Sequence, residues 1–269
     1  SMSMNYSFTF LFLALGLYSF SQERLDLELP HNKRGYTLIW SEQYAFDHPP
    51  EHVLNLDARQ AKNLDSLIKR LPEFKNIESL NLWGLGLDSL PDFFKSFPHL
   101  RYINIAKNNL TGIPASFNTL KHLKRVELSG NPIGKLPEVL YHSELTLLDI
   151  QAIELKGTFV ISENWKNLEF LAIAHNPIDS IYGVRNLKKL ETLYATKCNL
   201  SFLPEDWRGC RKLEILYIDF NPILDLPKSL LRRNRLRYIL LEGTQIPDET
   251  LYKYRVRFPT IAFDECPTC

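Results

Sequence analysis

The sequence predicts an α/β solenoid built from stacked repeats, and two observations support this fold class. Residues 100–122 read LRYINIAKNNLTGIPASFNTLKH, and the same pattern of apolar residues returns every 22 or 23 residues along most of the chain. Each copy also contains an alternating x-Leu-x-Leu segment, which is typical of a strand with one buried face. A single strand of this kind cannot bury its leucines alone, so the copies must stack on one another.

The register of the repeats follows from their first apolar residue. Repeats one to eight begin at Ile77, Leu100, Leu123, Leu145, Leu168, Leu190, Leu213 and Leu236. Stacking predicts one curved parallel sheet with strands at residues 79–83, 102–106, 125–129, 147–151, 170–174, 192–196, 215–219 and 238–242. The fourth and sixth positions of each repeat should point inward. The third, fifth and seventh positions should then line the concave face.

A polar residue stands at the ninth position of most repeats, where the chain must turn out of the strand. An amide side chain there can both donate to and accept from buried backbone groups. The predicted ladder consists of Asn108, Asn131, Asn176, Cys198, Asn221 and Thr244. Leu85 and Ile153 interrupt it, so we expect the backbone beside them to be satisfied differently or less well. Repeat four also lacks the Leu-Pro pair, which predicts a different convex side.

The pattern L-x-x-L-x-L-x-x-N-x-L resembles the leucine-rich repeat. The Leu-Pro pairs at Leu90, Leu136, Leu203 and Leu226 are similar to those of its typical 23-residue subclass, as found in bacterial secreted or surface proteins. The resemblance implies a leucine-rich-repeat solenoid, shaped as a curved horseshoe with the parallel sheet on its concave face. It also implies about eight or nine repeats between two terminal caps.

The ends of the chain depart from the repeat. Residues 8–17 form an apolar run too short to span a bilayer, which needs ~20 residues. Ser19 and Ser21 fit signal-peptidase cleavage before Gln22, although no Lys or Arg precedes the run. The expected organisation is a signal peptide at 1–21, an N-terminal cap at 22–52, repeats at 53–244 and a C-terminal cap at 245–269. This predicts a secreted, periplasmic or cell-surface protein without a stable membrane span, the alternative being a retained hydrophobic anchor.

Each cap has its own expected elements. In the N-terminal cap we expect a short helix around residues 40–46, with aromatic residues covering the first repeat. In the C-terminal cap we expect a helix that starts near Pro247 and ends at Pro259, followed by a strand at 260–263.

The sequence contains no motif for catalysis. It has no nucleophile elbow, phosphate-binding loop, zinc-protease motif or dinucleotide fingerprint. Lys and Arg total 32 against 31 Asp and Glu, so the net charge of +1 gives no indication of nucleic-acid binding. Cys198 and Cys210 fit buried thiols. Cys266 and Cys269 suggest a disulfide rather than a redox or zinc site. We therefore expect a protein that is not an enzyme and has no cofactor or metal.

The concave positions carry more large apolar groups than a solvated sheet face requires, and such a patch usually marks a binding surface. We expect a protein or peptide ligand to contact the following concave and rim residues: Trp83, Tyr102, Phe170, Tyr194, Ile215, Tyr217, Asp219, Phe220, Tyr238, Leu240 and Glu242. Two alternatives stay open. The aromatic residues could pack on one another across the strands or under the C-terminal cap, or the ligand could be a glycan.

Overall fold

The computed structural model describes residues 36–39 and 49–263, with side chains described from residue 49. Eleven strands of this part of the chain form one sheet in which all neighbouring pairs are parallel. In spatial order they are β1 (Tyr36–Ile39), β2 (Val53–Asp57), β3 (Ser79–Asn81), β4 (Tyr102–Asn104), β5 (Arg125–Glu127), β6 (Leu147–Asp149), β8 (Phe170–Ala172), β10 (Thr192–Tyr194), β11 (Ile215–Tyr217), β12 (Tyr238–Leu240) and β13 (Ala262–Phe263). The predicted solenoid with a long parallel sheet is confirmed.

The predicted register is confirmed, but the predicted strands are too long. Each strand of repeats one to eight begins where expected and ends two residues early, as at Asn81 instead of residue 83. Hydrogen bonds between repeats continue past the end, since the N–H of Leu82 donates to Asn104 O (2.7 Å). The chain nevertheless leaves the strand conformation, because the eighth position of every repeat has positive φ, from Gly84 (φ 66°) to Gly243 (φ 67°).

Asparagine side chains join successive repeats through the buried backbone. Asn108 Oδ1 accepts hydrogen bonds from the N–H groups of Leu85 and Leu87, both at 3.0 Å. Its Nδ2 donates to Leu82 O in the preceding repeat (3.0 Å) and to Ile105 O in its own (2.9 Å). One asparagine side chain thus forms hydrogen bonds with buried backbone groups of two consecutive repeats. Asn176 and Asn221 make the equivalent bonds.

Three of the repeats that lack a ladder asparagine follow a repeat whose turn is closed by a hydrogen bond within its own backbone. In the Asn-Pro-Ile segments that begin at Asn131, Asn176 and Asn221, proline removes one N–H donor. The isoleucine N–H then donates to the carbonyl of the asparagine two residues earlier, at 2.7–2.8 Å. The isoleucine N–H therefore needs no acceptor from the next repeat, which carries Ile153, Cys198 or Thr244 at the ladder position; the N–H of Asn176 still donates to the Cys198 thiol. The expectation that the backbone beside Leu85 and Ile153 is satisfied differently is wrong, because Asn108 accepts from the N–H of Leu85 and Asn176 accepts from that of Ile153, as in the rest of the ladder.

The convex side is made of short helical turns in most repeats and of strands in two. Helices include α1 (Leu64–Arg70) and α2 (Lys228–Leu231), and 3-10 turns such as Trp165–Asn167 lie between. In repeats four and five, β7 (Gly157–Val160) pairs in parallel with β9 (Ile178–Tyr182). The convex side of repeat four thus differs from that of repeat three, as predicted, whereas repeat five shares the convex strand. Trp165 and Trp207 fill the interior beneath these segments and are fully buried.

The C-terminal cap contains α3 (Asp248–Arg257), which ends just before Pro259, followed by β13 at the edge of the sheet. The strand expected at residues 260–263 thus starts two residues later. At the other edge of the sheet, β1 pairs with β2. The sequence analysis does not predict β1. The expected signal peptide, the helix expected around residues 40–46, and Cys266 and Cys269 lie outside the described residues.

Candidate functional site on the concave sheet

The concave face is bordered by a row of side chains at the eighth position of each repeat. Lys107, Ala152, His175, Lys197 and Phe220 adopt positive φ there, between 50° and 58°. This conformation is costly for residues other than glycine. Lys107 extends across Gly130 of the next repeat, where a Cβ atom would lie 3.0 Å from Lys107 Cδ. Phe220 covers Gly243 in the same way. Glycine at those two positions leaves room for the side chains of Lys107 and Phe220, which lie along the border of the concave face.

An aromatic row crosses three adjacent strands of the concave face. The ring centroids of Phe170 and Tyr194 are 5.3 Å apart, and those of Tyr194 and Tyr217 are 4.0 Å apart with an interplanar angle of 10°. Tyr217 is only 6% exposed and Phe170 also 6%. The expectation of open tyrosine anchors is wrong for Tyr217, because its ring stacks on the ring of the neighbouring strand. In this part of the face the aromatic residues pack on one another across the strands, which is one of the alternatives left open by the sequence.

In the first half of the face, Tyr102 is similarly buried, at 7% exposure. The guanidinium carbon of Arg125 lies 5.7 Å from the centre of the Tyr102 ring, and that of Arg101 lies 5.9 Å from it. Sequence reasoning missed these cation–π contacts, although Tyr102 and Arg125 occupy the same position of consecutive repeats. Tyr102 therefore contributes to packing between repeats.

Apolar side chains remain accessible on the last strands of the sheet. Ile215 of β11 lies beside Tyr238 of β12, and Leu240 lies beside Tyr217. Ile215, Tyr238 and Leu240 are half-buried, and the adjacent Glu242 is exposed. Phe220, at the border of this group, is 39% exposed. We call Ile215, Phe220, Tyr238, Leu240 and Glu242 the C-terminal concave patch. Trp83, 37% exposed, lies apart from it in repeat one.

Three ionisable side chains on or beside the concave face have shifted pKa values. Burial raises the pKa of the Asp149 carboxyl, and Gln151 Nε2 donates to its Oδ1 at 3.1 Å. Burial also raises the pKa of Asp219, whose Oδ1 accepts a hydrogen bond from Thr196 Oγ1 at 2.7 Å. The pKa of His175 is lowered by burial and by the charges of Lys197 and Lys107. The hydrogen bond from Thr196 thus holds the Asp219 carboxylate at the margin of the C-terminal concave patch.

Within residues 49–263, no group of three or more His, Cys, Asp or Glu side chains could hold a metal ion. Burial raises the pKa of the Cys198 and Cys210 thiols to about 12, so neither is a ready nucleophile. Cys198 Sγ instead donates to Ile173 O at 3.5 Å, within the turn that the ladder serves. No helix in the described part of the chain is long and apolar enough to cross a bilayer.

Comparison with known proteins agrees with this geometry. Residues 75–133 match the family model described as leucine rich repeat. No curated protein matches the sequence at a significant level. The repeat register, the asparagine ladder and the parallel concave sheet define a leucine-rich repeat protein.

Solved structures share the fold at low sequence identity. The Arabidopsis receptor kinase HAESA, in complex with the peptide hormone IDA and the co-receptor SERK1, has 24% identity and a TM-score of 0.63, with 77% of this chain and 36% of that chain covered. Internalin C2 from Listeria monocytogenes has 20% identity and a TM-score of 0.59, with 71% and 82% covered. A Leptospira interrogans leucine-rich repeat protein has 18% identity and a TM-score of 0.46, with 80% and 73% covered. This chain thus spans about a third of HAESA.

Proposed function

We propose that the protein is a non-enzymatic module that binds a protein or peptide ligand on its concave sheet. The accessible apolar side chains of the C-terminal concave patch carry this proposal. Ile215, Tyr238 and Leu240 lie side by side on two strands, and Phe220 is held in a costly backbone conformation beside them. Accessible aromatic groups with a charged neighbour are typical of binding anchors.

The family and the fold support a protein or peptide as the ligand. Leucine-rich repeats are generally protein-binding scaffolds, and HAESA carries a peptide hormone in its solved complex. A glycan is less well matched to this face. Sugars stack on open aromatic faces, and the faces of Tyr194 and Tyr217 lie against each other at 4.0 Å. The raised pKa of the Cys198 and Cys210 thiols argues only against a cysteine nucleophile at those two positions.

Replacing Tyr238 by Ala tests the proposal directly. We expect the melting temperature to change little, because Tyr238 is only half-buried. Ligand affinity should fall by ~2 kcal/mol or more, as for central aromatic anchors. Crosslinking on intact cells of the native host, with the wild type and Tyr238→Ala in parallel, would recover the ligand. Calorimetric titration of that ligand would then measure the loss.

Two further variants serve as controls for the Tyr238→Ala measurement. Tyr252→Ala removes an exposed tyrosine of α3 (67% exposed) away from the sheet and should leave binding unchanged. Tyr217→Ala should cost ~3 kcal/mol of stability, in line with truncation of a buried aromatic group. Unchanged affinity of a folded Tyr238→Ala protein would refute the concave patch as the ligand site. Binding on a sugar array without protein capture would favour the glycan alternative.

We also propose that the protein is exported and cleaved before Gln22. The apolar run at residues 8–17 and the small residues Ser19 and Ser21 support this. Export would place Cys266 and Cys269 where a disulfide can form. N-terminal sequencing of the protein from its native host should find Gln22 first. A mature chain that still carries residues 8–20 would contradict cleavage.

A further inference from the structure

The ionisable side chains of one row along the concave face are all basic. We call the eighth-position residues of repeats one to eight the border row, which consists of Gly84, Lys107, Gly130, Ala152, His175, Lys197, Phe220 and Gly243. Its three ionisable members are Lys107, His175 and Lys197, in repeats two, five and six. The C-terminal concave patch begins one repeat later, at Phe220. The row therefore carries positive charge beside the apolar site.

The basic members of the border row adopt a backbone conformation that favours glycine. The φ angle is 57° at Lys107, 58° at His175 and 50° at Lys197, and this left-handed region is costly for a residue with a Cβ atom. Strained residues of this kind cluster at binding sites. Ala152 shares the conformation (φ 50°) without an ionisable group. The common sign of the three charges, and not the strain alone, therefore indicates a site for an anionic group.

Lys107 extends along the border row towards repeat four. A Cβ atom built on Gly130 of repeat three would lie 3.0 Å from Lys107 Cδ and 3.6 Å from its Cε. The charge of Lys107 is close enough to interact with Asp149 of repeat four. Besides burial, the charges of Lys197 in repeat six and of Lys107 lower the pKa of His175 in repeat five. The three basic groups thus follow one another along repeats four to six.

Three acidic side chains of the concave face lie beside the border row and not in it. Glu127 and Asp149 stand at the fifth position of their repeats and Asp219 at the seventh. Burial raises the pKa of Asp149 and of Asp219, which disfavours their charged forms. Asp149 Oδ1 accepts hydrogen bonds from the N–H (3.2 Å) and Nε2 (3.1 Å) of Gln151, and Asp219 Oδ1 accepts one from Thr196 Oγ1 (2.7 Å). Both carboxyls are therefore held within the face, and the row presents positive charge along its edge.

The border row is continuous with the C-terminal concave patch, because Phe220 belongs to both. The strands of repeats five, six and seven are neighbours in the sheet, and neighbouring strands are ~4.8 Å apart. Lys197 and His175 therefore lie ~5 and ~10 Å from Phe220 along the row. The end of Lys107, near repeat four, lies ~14 Å away. An extended peptide advances ~3.3 Å per residue, so these distances correspond to roughly two to five residues.

We propose that the ligand is an acidic peptide segment that crosses the strands, with an apolar side chain on the C-terminal concave patch and carboxylates beside Lys197, His175 and Lys107. This inference rests on the proposed function, because the apolar anchor occupies the same site. Carboxylates form strong charge-assisted hydrogen bonds with basic groups, and a carboxylate between these groups offsets their mutual repulsion. An acidic polysaccharide would match the charges but would leave Ile215 and Leu240 without an apolar contact, so a peptide is favoured.

Selection from a phage-displayed library of random peptides on the immobilised full chain tests this inference. Enriched peptides should carry Asp or Glu roughly two to five residues from an aromatic or branched apolar residue. Fluorescein-labelled synthetic copies, titrated by fluorescence anisotropy at low salt, should bind the Lys107→Gly, Lys197→Gly double variant ~10-fold more weakly than the wild type. Glycine suits the left-handed backbone, so this variant should stay folded. Selection on the Lys107→Glu, Lys197→Glu double variant should enrich basic residues in place of acidic ones.

A control lysine and the separate Tyr238→Ala measurement complete the experiment. Lys188→Ala removes an exposed lysine whose charge acts on Cys210, and it should leave peptide affinity unchanged. Enriched peptides without an acidic preference, or with equal affinity for the double glycine variant, would overturn the acidic-peptide inference and leave the concave ligand site standing. A selection that enriches no peptide, or binding of polygalacturonate in its place, would also overturn the inference. The concave ligand site itself fails only if Tyr238→Ala leaves the affinity of the ligand recovered from native cells unchanged.

Discussion

Asn176→Leu is expected to lower the free energy of unfolding by about 4 kcal/mol. Asn176 is 1% exposed, and its Oδ1 accepts from the N–H groups of Ile153 (3.0 Å) and Leu155 (3.1 Å). Its Nδ2 donates to Ile150 O (2.8 Å). Leucine has the same number and branching of side-chain heavy atoms but can neither donate to nor accept from these groups. Each buried group left without a partner costs ~1–3 kcal/mol. Urea denaturation monitored by circular dichroism would measure the change.

Cys198→Ala is the matched comparison at the next ladder position. The Cys198 thiol donates one weak bond to Ile173 O (3.5 Å), and the preceding turn is closed by its own Asn-Pro-Ile segment. We expect a loss of about 1 kcal/mol, since a cysteine makes only weak hydrogen bonds. A denaturation midpoint for Asn176→Leu equal to that of Cys198→Ala would contradict the role assigned to the asparagines.

The fold could be predicted from the sequence because the period of the leucines determines the register. Strand starts such as Ser79 and Tyr102 follow from one buried residue in every two. The strand ends could not be predicted, because they depend on the left-handed residue at the eighth position. In five repeats that residue is Lys, Ala, His or Phe, which carry no turn signal of their own.

The alternation of the ladder was visible in the sequence but its cause was not. Asn-Pro-Ile segments recur at Asn131, Asn176 and Asn221, and each is followed one repeat later by a residue other than asparagine. The cause is the short turn that the isoleucine N–H closes on the asparagine carbonyl (2.7–2.8 Å). Such a turn depends on backbone angles after proline, which no periodicity of side chains encodes.

The members of the concave face could be predicted, but their exposure could not. Alternation along a strand assigns Tyr217 and Tyr238 to the same face. Whether a ring stays open depends on its neighbour across the strands. Tyr217 stacks on Tyr194, whereas Tyr238 lies between Ile215 and the short β13 at the sheet edge.

Gly209→Ala is expected to lower the free energy of unfolding by ~3 kcal/mol or more. A Cβ atom at residue 209 would lie 1.9 Å from Arg185 O and 2.7 Å from its carbonyl carbon. Both atoms belong to the backbone of the preceding repeat, so no side-chain rotation relieves the contact, and overpacking of this kind is costly. Repeats five and six also meet closely beside it, since Cys210 Sγ lies 3.1 Å from Val184 O.

Gly112→Ala provides the control for this substitution. No atom lies within 4 Å of a Cβ built there, and its φ is not positive. We expect it to be neutral or to stabilise the protein by ~0.4–1 kcal/mol, because alanine restricts the unfolded chain. The strain in Gly209→Ala acts on the convex segment at residues 184–186, which follows Tyr182. The concave patch lies on the other side of the core, so the folded fraction should still bind ligand with normal affinity. Equal urea midpoints for the two alanine variants would show that the convex segments of repeats five and six are not packed as closely as the structure places them.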